Sequence, residues 1–473
     1  VAPSDDLTDG RPLVLVANRL PVRLGDDGAW EISAGGLVTA MRPVVSRVGG
    51  AWIGWDGGDE GVPERVEGLD CSLHPVALSA VEVEDYYHGF SNRTLWPLFH
   101  DLVAPPVIDH DWWDTYRRVN ERFATDVVEA VPSPDALVWV QDYHLLLLPA
   151  LLRAALPDQP IGFFLHTPFP APELVQRLPW RDELLDGILG ADVVGFHTPL
   201  YRDNFLRAVR MFRGDDAVDG THVLHEGRRV HCVAQGISID ADEFATLATS
   251  PDTEHVLNEL RRQFGGRKVF LGVDRLDTTK GIRHRLTAIE RLLENHAELR
   301  EQFAFVQIAV PSREDVAEVI ELRGEIEQMV GRINGQFTEP GHDVPVHYLY
   351  RGVPRESLAA YYRLADVLAV TPLKDGMNLV AKEYVVVQHA AREDGVLLLS
   401  EFTGSALQLD DAVLCNPFDV QGLADTMAAC LELDPDDRRA RLASMARDVH
   451  EHDVFAWVAG QLREVVAAIA DRS

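Results

Sequence analysis

The run Asp366-Val-Leu-Ala-Val-Thr371, continued by Pro-Leu-Lys-Asp-Gly376 and then by Met377-Asn-Leu-Val-Ala-Lys-Glu383, decides the fold. The apolar run reads as a buried strand and the Pro-Leu-Lys-Asp-Gly segment as a turn. An amphipathic helix is predicted from about Asn378. A helix that starts just past the carboxyl end of a strand offers unpaired backbone N–H groups, which favours phosphate. Glu383 falls one turn inside that helix, where a carboxylate repels phosphate unless it has a ligand of its own. A ribose hydroxyl pair is such a ligand. The segment reads as a sugar-nucleotide site, and hence as part of an enzyme.

The same grammar runs through both halves of the chain. The first half carries Leu13-Val-Leu-Val-Ala17, Leu137-Val-Trp-Val140, Ile161-Gly-Phe-Phe-Leu165, Val193-Val-Gly-Phe196 and Val230-His-Cys-Val-Ala234. The second carries Val269-Phe-Leu-Gly-Val273, Ala304-Phe-Val-Gln-Ile-Ala309, Val346-His-Tyr-Leu349, Val367-Leu-Ala-Val370 and Val396-Leu-Leu-Leu399. None of these runs alternates, so they read as strands buried on both faces of parallel sheets. Helical patterns fall between many of them, at 145–155, 183–189, 283–294, 315–330 and 355–364. The alternation predicts an α/β protein of two doubly wound, Rossmann-like domains facing a central cleft. The boundary falls within 239–252, giving domains 1–240 and 241–473. Surface and linker helices are expected over 240–264, and a last helix, apolar on one face, over 454–470.

A chain of 473 residues is too long for one hydrophobic core. Its apolar and charged fractions, 46% and 25%, are those of a soluble globular protein. No apolar run approaches the ~20 residues that span a bilayer. The opening Val-Ala-Pro-Ser-Asp-Asp-Leu-Thr-Asp-Gly-Arg-Pro12 reads as a loose tail without the basic and apolar regions of a signal peptide. A cytoplasmic protein is expected, and a homo-oligomer. The net charge of −31 speaks against a nucleic-acid or anionic-membrane partner. It also means that an anionic ligand must be met by a local cluster of Arg and Lys. Cys71, Cys232, Cys415 and Cys430 form no CxxC pair and read as buried reduced thiols.

In open α/β sheets ligands sit outside the carboxyl ends of the strands. The residues that follow the apolar runs there include Asn18-Arg19, Asp142-Tyr-His144, His166-Thr-Pro-Phe-Pro170, Asp274-Arg275 with Lys280, Pro311-Ser-Arg313 and Lys374-Asp-Gly-Met-Asn378. Arg275 and Lys280 fit a diphosphate, one as a bidentate fork and the other as a point charge; the alternative is a solvated surface loop. His166, past its strand end, suits a sugar hydroxyl or a developing charge better than a core role. Asp142 suits sugar hydroxyls, and His144 reads as packing at the start of the next helix. Gly35-Gly36 precedes a helical pattern and is either a simple turn or a close backbone approach to the donor. Arg19 and Arg313 could each hold a second phosphate. Tyr87 and Trp96 could stack on a sugar or belong to the core. No H-x-x-x-H, DxD-like or Cys/His cluster asks for a metal, and no cofactor is implied.

Taken together, the segments VANRLPV, SAGGLVTA, WIGW, YYHGFSNRTLWP, VQDYHLLLLP, GFFLHTPFP, GVDRLDTTKG, PSR, GRINGQF and TPLKDGMNLVAKE occur in the order of one family. The chain resembles the retaining glycosyltransferases that make trehalose 6-phosphate, from residue 13 to the Asn416-Pro-Phe-Asp segment. The resemblance implies a GT-B fold, with the donor nucleotide on the second domain, the acceptor largely on the first, and the last helix returning to the first. It implies Arg275 and Lys280 on the donor diphosphate, and Asp375 and His166 on hydroxyls of the transferred glucose. It places Leu379, Val380 and Glu383 on the nucleotide, with Glu383 on the ribose, Asn378 in the same donor motif, and Val353 beside the base. Gly35 and Gly36 lie near the donor. Arg19, Tyr87, Trp96 and Arg313 hold glucose 6-phosphate, with Asp142 on its hydroxyls. No pair of carboxylates suggests double displacement; the family is thought to use same-face attack, in which the leaving phosphate takes the acceptor proton.

Two departures bear on the donor. Thr278 replaces the family's usual aromatic, and Ala-Gln-Gly-Ile-Ser-Ile-Asp240 replaces a proline-containing segment. UDP-glucose is the default donor, GDP-glucose the alternative, and a cyclitol-coupling relative a further one. A non-catalytic sugar-phosphate sensor would be expected to lack His166, Asp375 or the Arg/Lys pair. A nicotinamide oxidoreductase would be expected to carry G-x-G-x-x-G after the first strand, and none stands there.

Overall fold

The computed structural model describes residues 7–25, 29–33, 35–58, 61–102, 105–312 and 316–470. Its strands are, in chain order, β1 (Leu13–Arg19), β2 (Val22–Leu24), β3 (Trp30–Ile32), β4 (Ala51–Trp55), β5 (Ser72–Pro75), β6 (Leu137–Gln141), β7 (Ile161–Leu165), β8 (Val193–Phe196), β9 (Val218–Asp219), β10 (His222–His225) and β11 (Arg228–Ala234). They continue with β12 (Lys268–Arg275), β13 (Phe303–Val310), β14 (Val346–Leu349), β15 (Val367–Val370), β16 (Val396–Ser400) and β17 (Val413–Cys415). The chain divides into two compact units: Val1–Ile237 with Val454–Ser473, and Ser238–Asp453.

The first unit is built on a sheet of order β5-β4-β1-β6-β7-β8-β11-β10-β9. The seven strands from β5 to β11 are parallel, and the β9–β10–β11 edge is antiparallel. In register, Val16 lies between Ile53 and Val140. The central strands β6, β7 and β8 are buried along their whole length, which is why their sequences do not alternate. The second unit carries an all-parallel sheet of order β14-β13-β12-β15-β16-β17. Counted from β12, this is the 3-2-1-4-5-6 order of the dinucleotide-binding fold. Its direction of travel reverses between β12 and β15, and the first sheet reverses in the same way between β1 and β6. These switch points are where such sheets bind ligands.

Several expectations are corrected. The helix Leu379–Ala390 is not amphipathic: every residue from Ala381 to Gln388 is buried. It packs against β15, β16 and three other helices, so no face is left to water. Burial drives the Lys382 ammonium in it down to about 7. The helices Ala241–Ala248 and Pro251–Phe264 are not linkers; Ala241, Phe244, Leu257, Leu260 and Phe264 lie in the core of the second unit. Residues 1–6 of the opening segment lie outside the described residues, but Leu7 and Thr8 are buried rather than loose. WIGW forms a full strand, β4, and β5 and the β2–β3 and β9–β10 pairs also lie outside the sequence expectation. All four cysteines are buried free thiols. Among the described residues no helix is long and apolar enough to cross a membrane.

The helix Val454–Ala470 packs on β7, β8, β11 and the helix Gly36–Val48. Trp457 is fully buried, 5.1 Å from Trp139 and edge-on to Phe164 at 5.0 Å, and its Nε1 donates to the carbonyl of Gln235 at 3.2 Å. Trp457→Ala is therefore expected to destabilise the first unit by roughly 3–5 kcal/mol, the range for truncating a buried aromatic. Thermal unfolding followed by calorimetry measures this, and a loss below about 1 kcal/mol would refute it.

Candidate active site

In the first unit the switch point lies beyond β1 and β6. Arg19, the exposed last residue of β1, lays its guanidinium over Trp55 at 4.4 Å and Tyr87 at 5.1 Å. Tyr87 stacks on His144, centroids 5.8 Å apart at 15°; His144 meets Tyr143 at 3.9 Å, and Tyr143 meets Trp96 at 5.7 Å. Arg19, Tyr87 and Trp96, far apart in sequence, thus belong to one aromatic array. Trp96 is only 9% exposed and belongs to the core. Tyr87 is carried by a π-helical segment, Val83–Leu95, whose Tyr86 hydroxyl donates to Asn18 Oδ1 at 2.9 Å. Wide helical turns of this kind recur at functional sites.

Asp142 follows β6 with φ 70° and ψ 173°, a region almost confined to glycine and costing about 1–3 kcal/mol for other residues. Its Oδ1 accepts the backbone N–H of His166 at 3.1 Å and of Thr167 at 3.3 Å. The carboxylate therefore ties the end of β6 to the end of β7. His166 Nε2 bonds Gln141 Oε1 at 2.9 Å, and its ring lies against Phe164, His197 and Trp457. Burial there lowers the imidazole from the ordinary 6.5 to about 3. His166 is thus a neutral hydrogen-bonding group at physiological pH, not an acid. Gly35 and Gly36 are exposed at the start of the Gly36–Val48 helix, whose first turn has no side-chain cap. A Cβ at Gly35 would meet nothing within 4 Å.

In the second unit the switch point lies beyond β12 and β15. Arg275 is the exposed last residue of β12. Lys280 closes the 3-10 turn Thr278–Lys280, which Asp277 caps by accepting from the N–H and hydroxyl of Thr279 at 2.9 and 2.8 Å. Thr278 opens this turn. Gly281 then takes φ 66°, and a Cβ on it would lie 2.2 Å from the carbonyl oxygen of Thr371. Only glycine lets the turn lean backbone to backbone on the end of β15. There Lys280 Nζ meets Asp375 Oδ2 at 2.6 Å, both largely buried, and Asn378 Nδ2 donates to the same oxygen at 3.1 Å. Asn378 Oδ1 accepts the N–H of Ala381 at 3.2 Å, capping the Leu379–Ala390 helix.

Glu383 is buried, and its Oε2 accepts the Tyr362 hydroxyl at 2.7 Å. Burial raises its carboxyl above the ordinary range, while Tyr362 and the charge of Arg355 oppose the rise. Val353, Leu379 and Val380 are partly buried against the core of this unit. Arg313 lies outside the described residues. Trp55, Gln141 and Tyr362 escaped the sequence reading as site residues; Trp55 had a signal, at the end of the apolar WIGW run. Among the described residues no group of three or more His, Cys, Asp or Glu gathers as for a metal.

Two doubly wound units, each with cations, carboxylates and amides collected at its switch point, define an enzyme of the two-domain glycosyltransferase class. The chain belongs to glycosyltransferase family 20, whose model matches residues 12–467. A trehalose-6-phosphate synthase of Mycobacterium sp. (strain KMS) is 47% identical over 473 residues, 97% of this chain and 95% of that one. An alpha,alpha-trehalose-phosphate synthase (UDP-forming) from Burkholderia xenovorans, crystallised with glucose-6-phosphate, superposes with a TM-score of 0.87. It is 35% identical, and the match covers 96% of this chain and all of that one, 100%. A chain from E. coli bound with UDP-2-fluoro glucose matches at TM-score 0.86 and 32% identity, covering 96% of this chain and 98% of that one.

The depressed pKa of His166 has a consequence for stability. The folded value lies below the unfolded one, so the stabilising contribution of the neutral ring is complete above pH 6.5 and is lost as pH falls toward about 3. Between pH 6.5 and 4.5 the melting temperature of the native chain should fall more steeply than that of His166→Asn. Parallel curves would show that the ring is not held neutral.

Proposed function

We propose that this glycosyltransferase moves glucose from a nucleotide glucose to glucose 6-phosphate, giving α,α-trehalose 6-phosphate and a nucleoside diphosphate with retention of the α configuration. UDP-glucose is the preferred donor in this reading. The observation that carries it is the Lys280–Asp375–Asn378 cluster at the second switch point, beside Arg275 and a capped helix start. The family and the ligands of the matched chains supply the sugars.

In the second unit we assign the donor diphosphate to Arg275 and Lys280, the ribose hydroxyls to Glu383, and the nucleotide to Leu379, Val380 and Val353. Asp375 takes hydroxyls of the transferred glucose, and Asn378 holds its carboxylate in place. In the first unit Arg19 and Tyr87 hold glucose 6-phosphate, Trp96 backs the aromatic wall, and Asp142 and His166 serve sugar hydroxyls; Arg313, which belongs to the second unit's stretch of chain, is assigned to the same phosphate. The Gly35–Gly36 helix start serves the donor. The neutral imidazole of His166 suits a hydroxyl partner and does not suit proton donation. The leaving phosphate takes the acceptor hydroxyl's proton as the new bond forms on the same face. Arg275 and Lys280 stabilise the charge that develops there. Positioning and electrostatics do the rest.

A coupled assay of nucleoside diphosphate release tests this with UDP-, GDP- and ADP-glucose. Release of UDP that depends on glucose 6-phosphate, with a non-reducing disaccharide phosphate as product, is the expected result. GDP release would reassign the base, and no release with any donor would overturn the reading. Arg275→Ala should lower kcat by about 10²–10³, the scale for removing one charge-stabilising donor.

Tyr362→Phe probes the ribose carboxylate. Without the phenol, Glu383 protonates at a higher pH, since burial raises its pKa and the hydrogen bond opposes that rise. The KM for the donor should rise roughly tenfold, in line with a hydrogen bond to a charged group, and on acidification it should begin to worsen at a higher pH than that of the native chain. A variant whose donor KM follows that of the native chain at every pH would remove Glu383 from the ribose.

A further inference from the structure

Arg285 has no role in the reading above, yet its guanidinium is fully buried in the second unit. It lies in the helix Ile282–Asn295 and is 0% exposed. Its Nη1 donates to Asp274 Oδ2 at 2.6 Å and to Gln307 Oε1 at 2.7 Å, and its Nε donates to Thr371 Oγ1 at 2.9 Å. Its Nη2 points at the carbonyl of Lys280 at 3.5 Å. Gln307 Nε2 returns a bond to Asp274 Oδ2 at 3.1 Å. The sheet is shaped to admit this group, since a Cβ on Gly272 would fall 2.5 Å from Arg285 Nη1 and 2.6 Å from Gln307 Oε1.

A buried ion pair is a poor device for stability, because desolvation offsets most of its attraction; what it supplies is geometry. The partners of Arg285 identify that geometry. Asp274 immediately precedes Arg275, and Lys280 offers its own carbonyl. Thr371 ends the run before the turn that carries Asp375, and its carbonyl is the surface on which Gly281 leans. One planar fork thus meets the three segments that carry Arg275, Lys280 and Asp375. A lysine could not reproduce it, having no fixed fork.

We infer that Arg285 is a positioning residue that sets the spacing of Arg275 and Lys280 for the leaving diphosphate, acting through Asp274, Thr371 and the Lys280 carbonyl. The inference rests on the function proposed above. It requires Arg285 to affect binding of the phosphates and turnover, but not binding of the nucleoside or the acceptor. A residue that merely supported the core would affect all of these or none.

The experiment compares the native chain with Thr371→Val and Arg285→Lys. Thr371→Val removes one acceptor with little change of shape, so it keeps the test open if Arg285→Lys fails to fold. Circular dichroism and melting establish that the variants are folded. The kcat is measured with saturating donor and KM with varied glucose 6-phosphate. Calorimetric titration then gives Kd for UDP and for uridine, or for the guanosine pair if the native chain uses that base. The expected result is a kcat lowered about 10- to 100-fold, the scale of a misplacement near 1 Å. The KM for glucose 6-phosphate should be unchanged within about twofold, UDP binding weakened about tenfold, and uridine binding unchanged. A folded Thr371→Val variant with native kcat and UDP affinity overturns the inference, as does an equal loss of UDP and uridine affinity. A native chain that turns over no donor overturns it together with the functional reading, which separates that failure from the other two.

Discussion

Parallel strands covered on both faces leave the strand ends as the place where polar groups can meet a ligand. That constraint organises both units. β6, β7, β8 and β15 are buried throughout, so their first chemically useful residues are Asp142, His166, His197 and the turn after Thr371. Each sheet also reverses its direction of travel once, beside β1 and beside β12. The collection of Arg19 and Asp142 at one reversal, and of Arg275, Lys280 and Asp375 at the other, follows from topology before any chemistry is invoked.

Electrostatics sharpens the same point. The chain carries 75 acidic against 44 basic residues, and among the basic ones only Lys268, Lys280, Lys374 and Lys382 are lysines. In a chain that takes nearly all its positive charge from arginine, a lysine at 280 marks a place for a compact ammonium. It fits the narrow space beside Asp375, where both side chains are largely buried. Arginine, with a rigid planar fork, goes instead where several acceptors must be spanned, as Arg285 does, or where a flat cation lies on aromatic rings, as Arg19 does.

Much of the architecture was legible because fully buried strands carry a signal that needs no partner: a short apolar run that does not alternate. The same rule missed β5 and the β9–β10 pair, most of whose residues are only partly buried and which read as ordinary polar sequence. It also misled on the Leu379–Ala390 helix. Its exposed-looking residues Lys382, Glu383 and Gln388 are buried, and only the packing of neighbouring helices fixes that. Arg275, Lys280, Asp375, Asp142 and His166 could be picked out as candidates because each sits within a few residues of a recognisable strand end. Tyr362 and Gln141 could not be picked out as site residues, and Trp55 only as the end of the apolar WIGW run. Their relation to Arg19, Glu383 and His166 depends on which strands and helices become neighbours, and spacing along the chain does not encode sheet order.

The two units also share a device at their strand ends that sequence spacing hides. Asp142 and Asn378 both take positive φ without being glycine. Such a conformation persists only when the surroundings over-determine it. At Asp142 the side chain grips the backbone N–H groups of His166 and Thr167; at Asn378 it grips the Ala381 N–H on one side and Asp375 on the other. A glycine would relieve the strain at either place but would lose these bonds, and with them the link from one strand end to the next functional residue. Choosing a strained Asp or Asn over glycine therefore exchanges local backbone ease for fixed geometry at the sites. That exchange fits the catalysis proposed above, which depends on holding charged groups still rather than on a reactive side chain.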